Sequence, residues 1–339
     1  MNSFRIILVG CGAMSHIWVD YVQNKKDATI VALVDINEES ARKVAERFQL
    51  DVPFFYSVAE AASKTNANLV FNTTIPKVHK EVTLEAFHHH CDVICEKPMA
   101  TSLDDAKQLV SAAKKYNRFY AIMQNRRYSY SIRSLREQLS NGIIGDQQSI
   151  HADFFLAPHF GGFRDAMESP LIIDMAIHTF DQARFISGSD AVSVYCHEYN
   201  PKGSWYSGAA NAYCIFEMSN GSVFTYNGSW CAEGAPTSWD ASWRIVGTKG
   251  TAIWGGSEEV YYETIQANQG QPFLHEYESR EIEVNTSGNE GHHRSLDDMF
   301  LALENGEKAE TDCEDNVESM KMVFAAIESA KTGERVIIK

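Results

Sequence analysis

Two textures alternate along the first third of the chain: short runs that are apolar at nearly every position, and longer stretches in which apolar residues recur every third or fourth place. The continuous apolar runs at 5–9, 29–34, 52–55, 68–73, 92–95 and 119–123 predict strands covered on both faces. Between them, the periodic segments near 13–24, 38–48, 77–90 and 102–116 predict amphipathic helices. Ser102 with Asp105 has the form of a capping box, and Leu103, Ala106, Leu109, Val110 and Ala113 then follow at helical spacing. Strand and helix in alternation is the pattern of a doubly wound parallel sheet.

After about residue 124 the texture changes. A helix at 129–141 ending at Gly142, a strand at 147–156 and a helix at 170–187 precede strand-like runs at 191–199, 209–217, 222–230, 241–246, 250–254 and 258–265. These predict one large, mostly antiparallel open sheet. Helices near 292–305 and 314–331 and a strand at 336–338 close the chain. The expected division is a doubly wound α/β domain over 1–123 and a second α/β domain over 124–339, and 339 residues suffice for two cores.

Composition narrows the functions. With 45 acidic against 30 basic residues and a net charge of −15, nucleic acid is not an expected partner. No stretch approaches the roughly 20 apolar residues of a membrane helix, and Met1 to Val9 lack the basic-then-apolar form of a leader, so a cytoplasmic protein is expected. Seven scattered cysteines suit reduced, buried thiols better than a disulfide framework. Val223 to Tyr226 and Tyr213 to Phe216 carry apolar or aromatic residues on both alternating faces, which predicts sheets packed face to face in a homodimer or homotetramer.

The first predicted strand runs into Gly10-Cys11-Gly12-Ala13-Met14-Ser15, which opens a helix. Gly10 permits the tight bend and Gly12 leaves room for a pyrophosphate. The start of the helix, at Ala13 and Met14, offers backbone N–H groups and a positive dipole end. Ser15 stands where the pattern usually has Gly or Ala, and a glycine pair alone also punctuates ordinary turns. Asp35 strengthens the dinucleotide reading: it ends the second strand, 20 residues after Ser15, where a carboxylate accepts ribose hydroxyls and repels a 2′-phosphate. NAD is therefore the expected cofactor.

Other candidates sit at strand ends. Glu96-Lys97-Pro98 follows the strand 92–95, and Thr73-Thr74-Ile75-Pro76 with His79 follows 68–73; both belong to the edge where open α/β sheets bind ligands. Thr73, Thr74, Pro76, His79, Glu96 and Lys97 are accordingly placed with the cofactor. Lys97 also serves as a proton-transfer group or fixed positive charge toward a substrate hydroxyl, the plain alternative being an exposed lysine in a turn. Asn125-Arg126-Arg127-Tyr128 lies at the domain crossover. Arg127 is assigned to the cofactor, with Glu96 or a substrate oxygen as its other expected partners, and Tyr128 to the substrate, against the alternative of a surface basic pair.

Asp174 and His178 stand four apart in an otherwise apolar helix, so the carboxylate can orient the imidazole. A structural Asp–His hydrogen bond and a zinc site remain open, though the latter lacks a third ligand. His159 and Arg164, in a glycine-rich loop before that helix, are candidates for substrate contact. Trp230, Trp239 and Trp243 either fill the core or stack on sugar rings.

Taken in order, the glycine turn, Asp35, Thr-x-Pro-x-x-His, Glu-Lys-Pro, Asn-Arg-Arg and Asp-x-x-x-His resemble the Gfo/Idh/MocA family of NAD(P)-dependent oxidoreductases over nearly the whole chain. The resemblance implies an N-terminal Rossmann domain, a C-terminal α/β domain on an open sheet, and hydride transfer between a nicotinamide and a carbohydrate or polyol. It maps the family's catalytic Lys, Asp and His to Lys97, Asp174 and His178. Glu168-Ser169-Pro170-Leu171 replaces the family's usual glycine-rich stretch, so an inositol specificity is not implied. The expected activity is an NAD-dependent dehydrogenase of a cyclic sugar, polyol or glycoside. The alternatives are a glycoside hydrolase working through transient oxidation and a non-catalytic dinucleotide-binding protein.

Overall fold

Continuous apolar runs become the central strands of a parallel sheet because burial on both faces is the only place such runs can go. In the computed structural model, which describes residues 3–267 and 272–339, this holds for β1 (Phe4–Val9), β2 (Ala28–Val34), β3 (Phe54–Phe55), β4 (Leu69–Asn72), β5 (Asp92–Cys95) and β6 (Tyr120–Ile122). They form a six-stranded parallel sheet in the order β3-β2-β1-β4-β5-β6, with Ile6, Ile7 and Leu8 of β1 at 0% exposure. This is the Rossmann order, and it reverses direction between β1 and β4, where ligands bind at strand C-termini.

The intervening helices are α1 (Ser15–Gln23), α2 (Glu38–Phe48), α3 (Val58–Thr65), α4 (His79–His88) and α5 (Leu103–Tyr116). Ser102 caps α5 by accepting from the Asp105 amide at 3.1 Å, as its spacing predicts. The periodicity does not predict the short α3, although Ser57 caps it at the Glu60 amide, a signal of the same kind. At eight residues its periodicity is too brief to show.

By its contacts the chain divides into Met1–Asn125 with Asn289–Met320, and Arg126–Gly288 with Lys321–Lys339. The segment 289–320, expected in the second domain, thus packs in the first. Its α8 (Gly291–Asn305) buries Leu296, Met299 and Phe300 against Phe4, Trp18 and Phe71 of the first core. The Phe4 and Phe300 rings meet edge to face at 4.9 Å, and Tyr21 donates to Asp297 at 2.8 Å. An amphipathic helix reports that it needs an apolar partner, not which one.

The second unit holds α6 (Tyr130–Ser140), β7 (Gln147–Phe155), α7 (Ile177–Ser187), then β8 (Ala191–Tyr199), β9 (Asn211–Met218), β10 (Val223–Ser229), β11 (Ser242–Gly247), β12 (Gly250–Trp254), β13 (Val260–Ile265) and β14 (Tyr277–Glu281). Helix α9 (Cys313–Thr332) crosses the division, and β15 (Val336–Ile337) ends the chain. The nine strands form one sheet, antiparallel except where β10 pairs with β7. The exposed β14 was not predicted, since its five residues carry no apolar alternation.

One face of this sheet is the core. Phe216, Phe224, Trp243 and Trp254 stack in a row at 5.6–6.1 Å, and Phe180 of α7 meets Phe216 and Tyr226 edge-on at 4.9 and 5.4 Å. The other face leaves Tyr195, Tyr199, Tyr213, Ile215, Tyr261 and Ile265 exposed. Of the seven cysteines, six are buried and Cys231 is half-buried; Cys196 and Cys214 face each other across β8 and β9 with Sγ atoms 3.4 Å apart.

Candidate active site

The first unit builds its ligand edge where β1, β2 and β4 end. Gly10 adopts φ +89°, and a Cβ there would lie 2.8 Å from the backbone of Thr73 and Thr74. Its glycine is thus required by the neighbouring turn as well as by the bend. Gly12 is different: nothing lies within 4 Å of its Cβ position, and Gly12, Ala13 and Met14 are exposed at the start of α1. Ser15, the departure from the pattern, is buried and donates to the Gly12 carbonyl at 2.7 Å, so its hydroxyl is satisfied within the turn.

Asp35 holds this turn open. Its Oδ2 accepts from the Cys11 amide at 2.7 Å and its Oδ1 from the Asn37 amide at 2.8 Å. A carboxylate offers about four lone-pair sites, so both oxygens keep capacity for ribose hydroxyls. Met14, Ile36 and Ile75, which follow β1, β2 and β4, are all exposed, Ile36 at 95%. Open space at Gly12, an exposed helix start, a carboxylate and apolar side chains at one edge fit a dinucleotide. Ile36 and Ile75 escaped the sequence reading because a single apolar residue in a turn has no period.

The threonine turn is largely self-satisfied. Thr73 donates to the Gly10 carbonyl at 2.6 Å and Thr74 to Asn72 at 2.6 Å, while Pro76 begins the turn leading into α4. His79 departs from its expected place beside the cofactor. It is fully buried, with Nδ1 at 2.8 Å from the Pro98 carbonyl and Nε2 at 3.0 Å from that of Thr74. Burial lowers its pKa despite these two carbonyls. The ring ties one turn to the next and presents no free edge to a ligand.

Glu96 is also buried, and its Oε1 accepts from Trp18 Nε1 at 2.9 Å. Burial raises its pKa, opposed by that indole and by the neighbouring Lys97 charge. Glu96 therefore anchors the turn rather than reaching a cofactor, and Trp18, not among the residues singled out from the sequence, is its partner. Lys97 stands half-buried at the end of β5, one residue beyond this anchor.

In the second unit Asp174 lies in a π-helical segment, Leu171–Ala176, and His178 in the first turn of α7. The predicted single helix is thus a π segment joined to an α-helix, a form frequent at functional sites. Both side chains are buried, at 8% and 5% exposure. Arg164 donates from Nε to Asp174 Oδ2 at 2.7 Å, while its guanidinium lies over the Phe160 and Phe163 rings at 5.0 and 4.7 Å.

Arg127, assigned to the cofactor or to Glu96, is buried and forked onto Asp181, with Nε 2.8 Å from Oδ2. Arg184 approaches the same carboxylate at 3.8 Å. Tyr128 is 1% exposed beneath the Arg133 guanidinium, a core position and not an open substrate contact. His159 stacks on Trp205 at 3.7 Å and lies 3.2 Å from Glu233. Trp230 and Trp243 are core, whereas Trp239 is 44% exposed.

Comparison with known proteins places both units. Residues 4–124 match the oxidoreductase family described as an NAD-binding Rossmann fold (GFO_IDH_MocA), and residues 136–338 match that family's C-terminal α/β domain. D-apiose dehydrogenase of Rhizobium rhizogenes is 26% identical over 100% of this chain and 98% of its own. Myo-inositol 2-dehydrogenase of Thermotoga maritima is 25% identical over 56% of this chain and 57% of its own. The crystal structure of an oxidoreductase from Agrobacterium radiobacter in complex with NAD+, L-tartaric acid and magnesium superposes with a TM-score of 0.87 at 22% identity, covering 99% of both chains.

The buried Glu96 generates a pH prediction. Its folded-state pKa is raised, so the folded form holds the proton more tightly than the unfolded chain. This contribution is complete at low pH and is lost as pH rises through the ordinary glutamate range toward the raised value. Glu96→Gln should remove it: the stability difference between wild type and variant, measured by urea unfolding, should shift in favour of the variant as pH rises. A pH-independent difference would contradict it.

Proposed function

This chain belongs to the Gfo/Idh/MocA oxidoreductase family and is an NAD-dependent dehydrogenase, and from that premise we propose that its substrate is a cyclic sugar, polyol or glycoside, oxidised or reduced at a hydroxyl or keto carbon. The observation that carries the substrate reading is Asp174 and His178, two polar side chains kept at 8% and 5% exposure in the otherwise apolar stretch Leu171–His178. Burying such groups costs several kcal/mol unless they are hydrogen-bonded, and Asp174 accepts from Arg164 at 2.7 Å. Relatives named for D-apiose and myo-inositol support a carbohydrate substrate.

Gly10, Gly12, Ala13 and Met14 would cradle the cofactor's pyrophosphate at the start of α1, and Asp35 its adenosine ribose. Bound NAD supplies a hydride acceptor at its nicotinamide. The remaining work falls to side chains. Lys97 and His178 hold and move the proton of the reacting hydroxyl. Asp174 fixes the orientation of His178 and stabilises its charged form. Arg164, paired with Asp174, keeps that carboxylate in place.

The exposed face of the second unit's sheet supports a symmetric assembly. Tyr213 and Ile215 of β9 lie 40% and 52% open, opposite buried Cys214 and Phe216, and Tyr195, Tyr199 and Tyr261 extend the same row. A second copy packed on this face, as homodimer or within a homotetramer, would bury it.

Cofactor choice follows from Asp35. NAD should bind at least about tenfold more tightly than NADP, roughly 1.4 kcal/mol, because the carboxylate repels a 2′-phosphate. Equal affinities by calorimetry would count against it. Lys97→Ala and His178→Ala should each lower kcat by about 10²–10⁴ with NAD affinity and melting temperature nearly unchanged. Full turnover by either variant removes that residue from the chemical step. Light scattering at micromolar concentration should give at least twice the 38.0 kDa chain mass; a clean monomer would leave the tyrosine face needing another cover.

A further inference from the structure

Phe160, Phe163 and Trp239 are 53%, 47% and 44% exposed and lie apart from the exposed tyrosine row of the same unit's sheet. They are not scattered. Phe160 lies 6.2 Å from Trp239, and Trp230 lies 6.3 and 6.1 Å from those two rings. Trp230 is 1% exposed and its indole N–H has no acceptor among the described residues. Two open rings thus sit in a corner against the buried Trp230, and Phe163 joins them through the Arg164 guanidinium, which lies over both phenylalanine rings.

Arg164 joins this corner to Asp174. Its Nε donates to Asp174 Oδ2 at 2.7 Å, and the same guanidinium lies 5.0 Å over Phe160 and 4.7 Å over Phe163. The open rings therefore begin one guanidinium away from the carboxylate, about where the neighbour of a ring held at Asp174 would lie. The C–H face of a pyranose is apolar and carries a slight positive charge, which suits the negative face of an aromatic ring. Its hydroxyl edge suits the guanidinium donors of Arg164. A protein partner would need a larger continuous apolar patch than three rings interrupted by Arg164.

We propose that Phe160 and Trp239 form a subsite for a second ring, so that the substrate is a glycoside carrying a neighbouring sugar or aryl group and not a free monosaccharide. This rests on the reading that Asp174 serves the reacting sugar. It adds a binding region and a substrate class to that reading.

The test uses the full chain saturated with NAD and matched probes: methyl glycosides, phenyl glycosides and disaccharides of the gluco, galacto and xylo series. Tryptophan fluorescence follows binding, and absorbance of NADH follows oxidation. In at least one series the two-ring probes should bind about three- to tenfold more tightly than the methyl glycoside. Trp239→Ala and Phe160→Ala should bring that ratio toward unity, and Trp239→Phe, which keeps a flat ring, should restore it. Equal affinities in every series, no binding in any, or a ratio that survives both alanine variants overturns the proposal. NADH formation without a two-ring advantage defeats the subsite and leaves the dehydrogenase reading intact. A ring-dependent advantage with no NADH from any probe keeps the second-ring subsite but counts against oxidation of those glycosides as the reaction.

Discussion

At Gly10 the turn after β1 and the turn after β4 come so close that no side chain fits between them. The ligand edge of the first unit is assembled outward from that contact. Thr73 and Thr74 form the far wall, and the Thr74 carbonyl is held by His79. The other nitrogen of His79 meets the carbonyl of Pro98, next to Lys97. A Cβ at Gly10 would displace the 73–74 backbone and, through one imidazole, disturb the turn that carries the lysine. The glycine turn and the turn bearing Lys97 are thus one mechanical object, although they lie far apart in sequence.

The second unit solves the same problem with charge. Helix α7 is buried along almost its whole length, so it cannot be located by an apolar stripe facing one neighbour. Asp181, 1% exposed, receives the fork of Arg127 and the approach of Arg184, while Gln182 donates to Asp240 at 3.0 Å. Removing one partner of such a buried pair typically costs about 3–5 kcal/mol, because the other charge is left uncompensated. That penalty fixes the axial position of α7, and with it His178 and the π segment bearing Asp174.

Elements were legible in the sequence wherever pattern and geometry coincide. The parallel strands, the glycine turn, the capped α5 and the strand run of the second unit follow from periodicity and from single-residue stereochemistry. What sequence left hidden is choice of partner. The apolar face of α8 is plain, but nothing in it says that Leu296 and Phe300 pack on Trp18 and Phe4. The sequence points Glu96 and Arg127 toward a ligand, because a charged residue in a turn shows its charge and not its burial. His79 sits at the right edge but faces inward, a distinction made by two backbone carbonyls with no sequence of their own. The π segment escaped notice because one inserted residue per turn barely alters apolar spacing.

The thiols carry a practical corollary. Burial pushes Cys11 and Cys313 up to about 12 and Cys91 to about 11, and it also raises Cys95 and Cys214 well above the usual thiol range. Only thiolates react readily with alkylating reagents, so these positions are shielded twice, by access and by protonation. Cys231 alone among the seven is half-open, and it directly follows Trp230. The wild-type chain therefore comes with its own attachment point for a fluorophore or spin label, next to the aromatic corner and without any engineered cysteine.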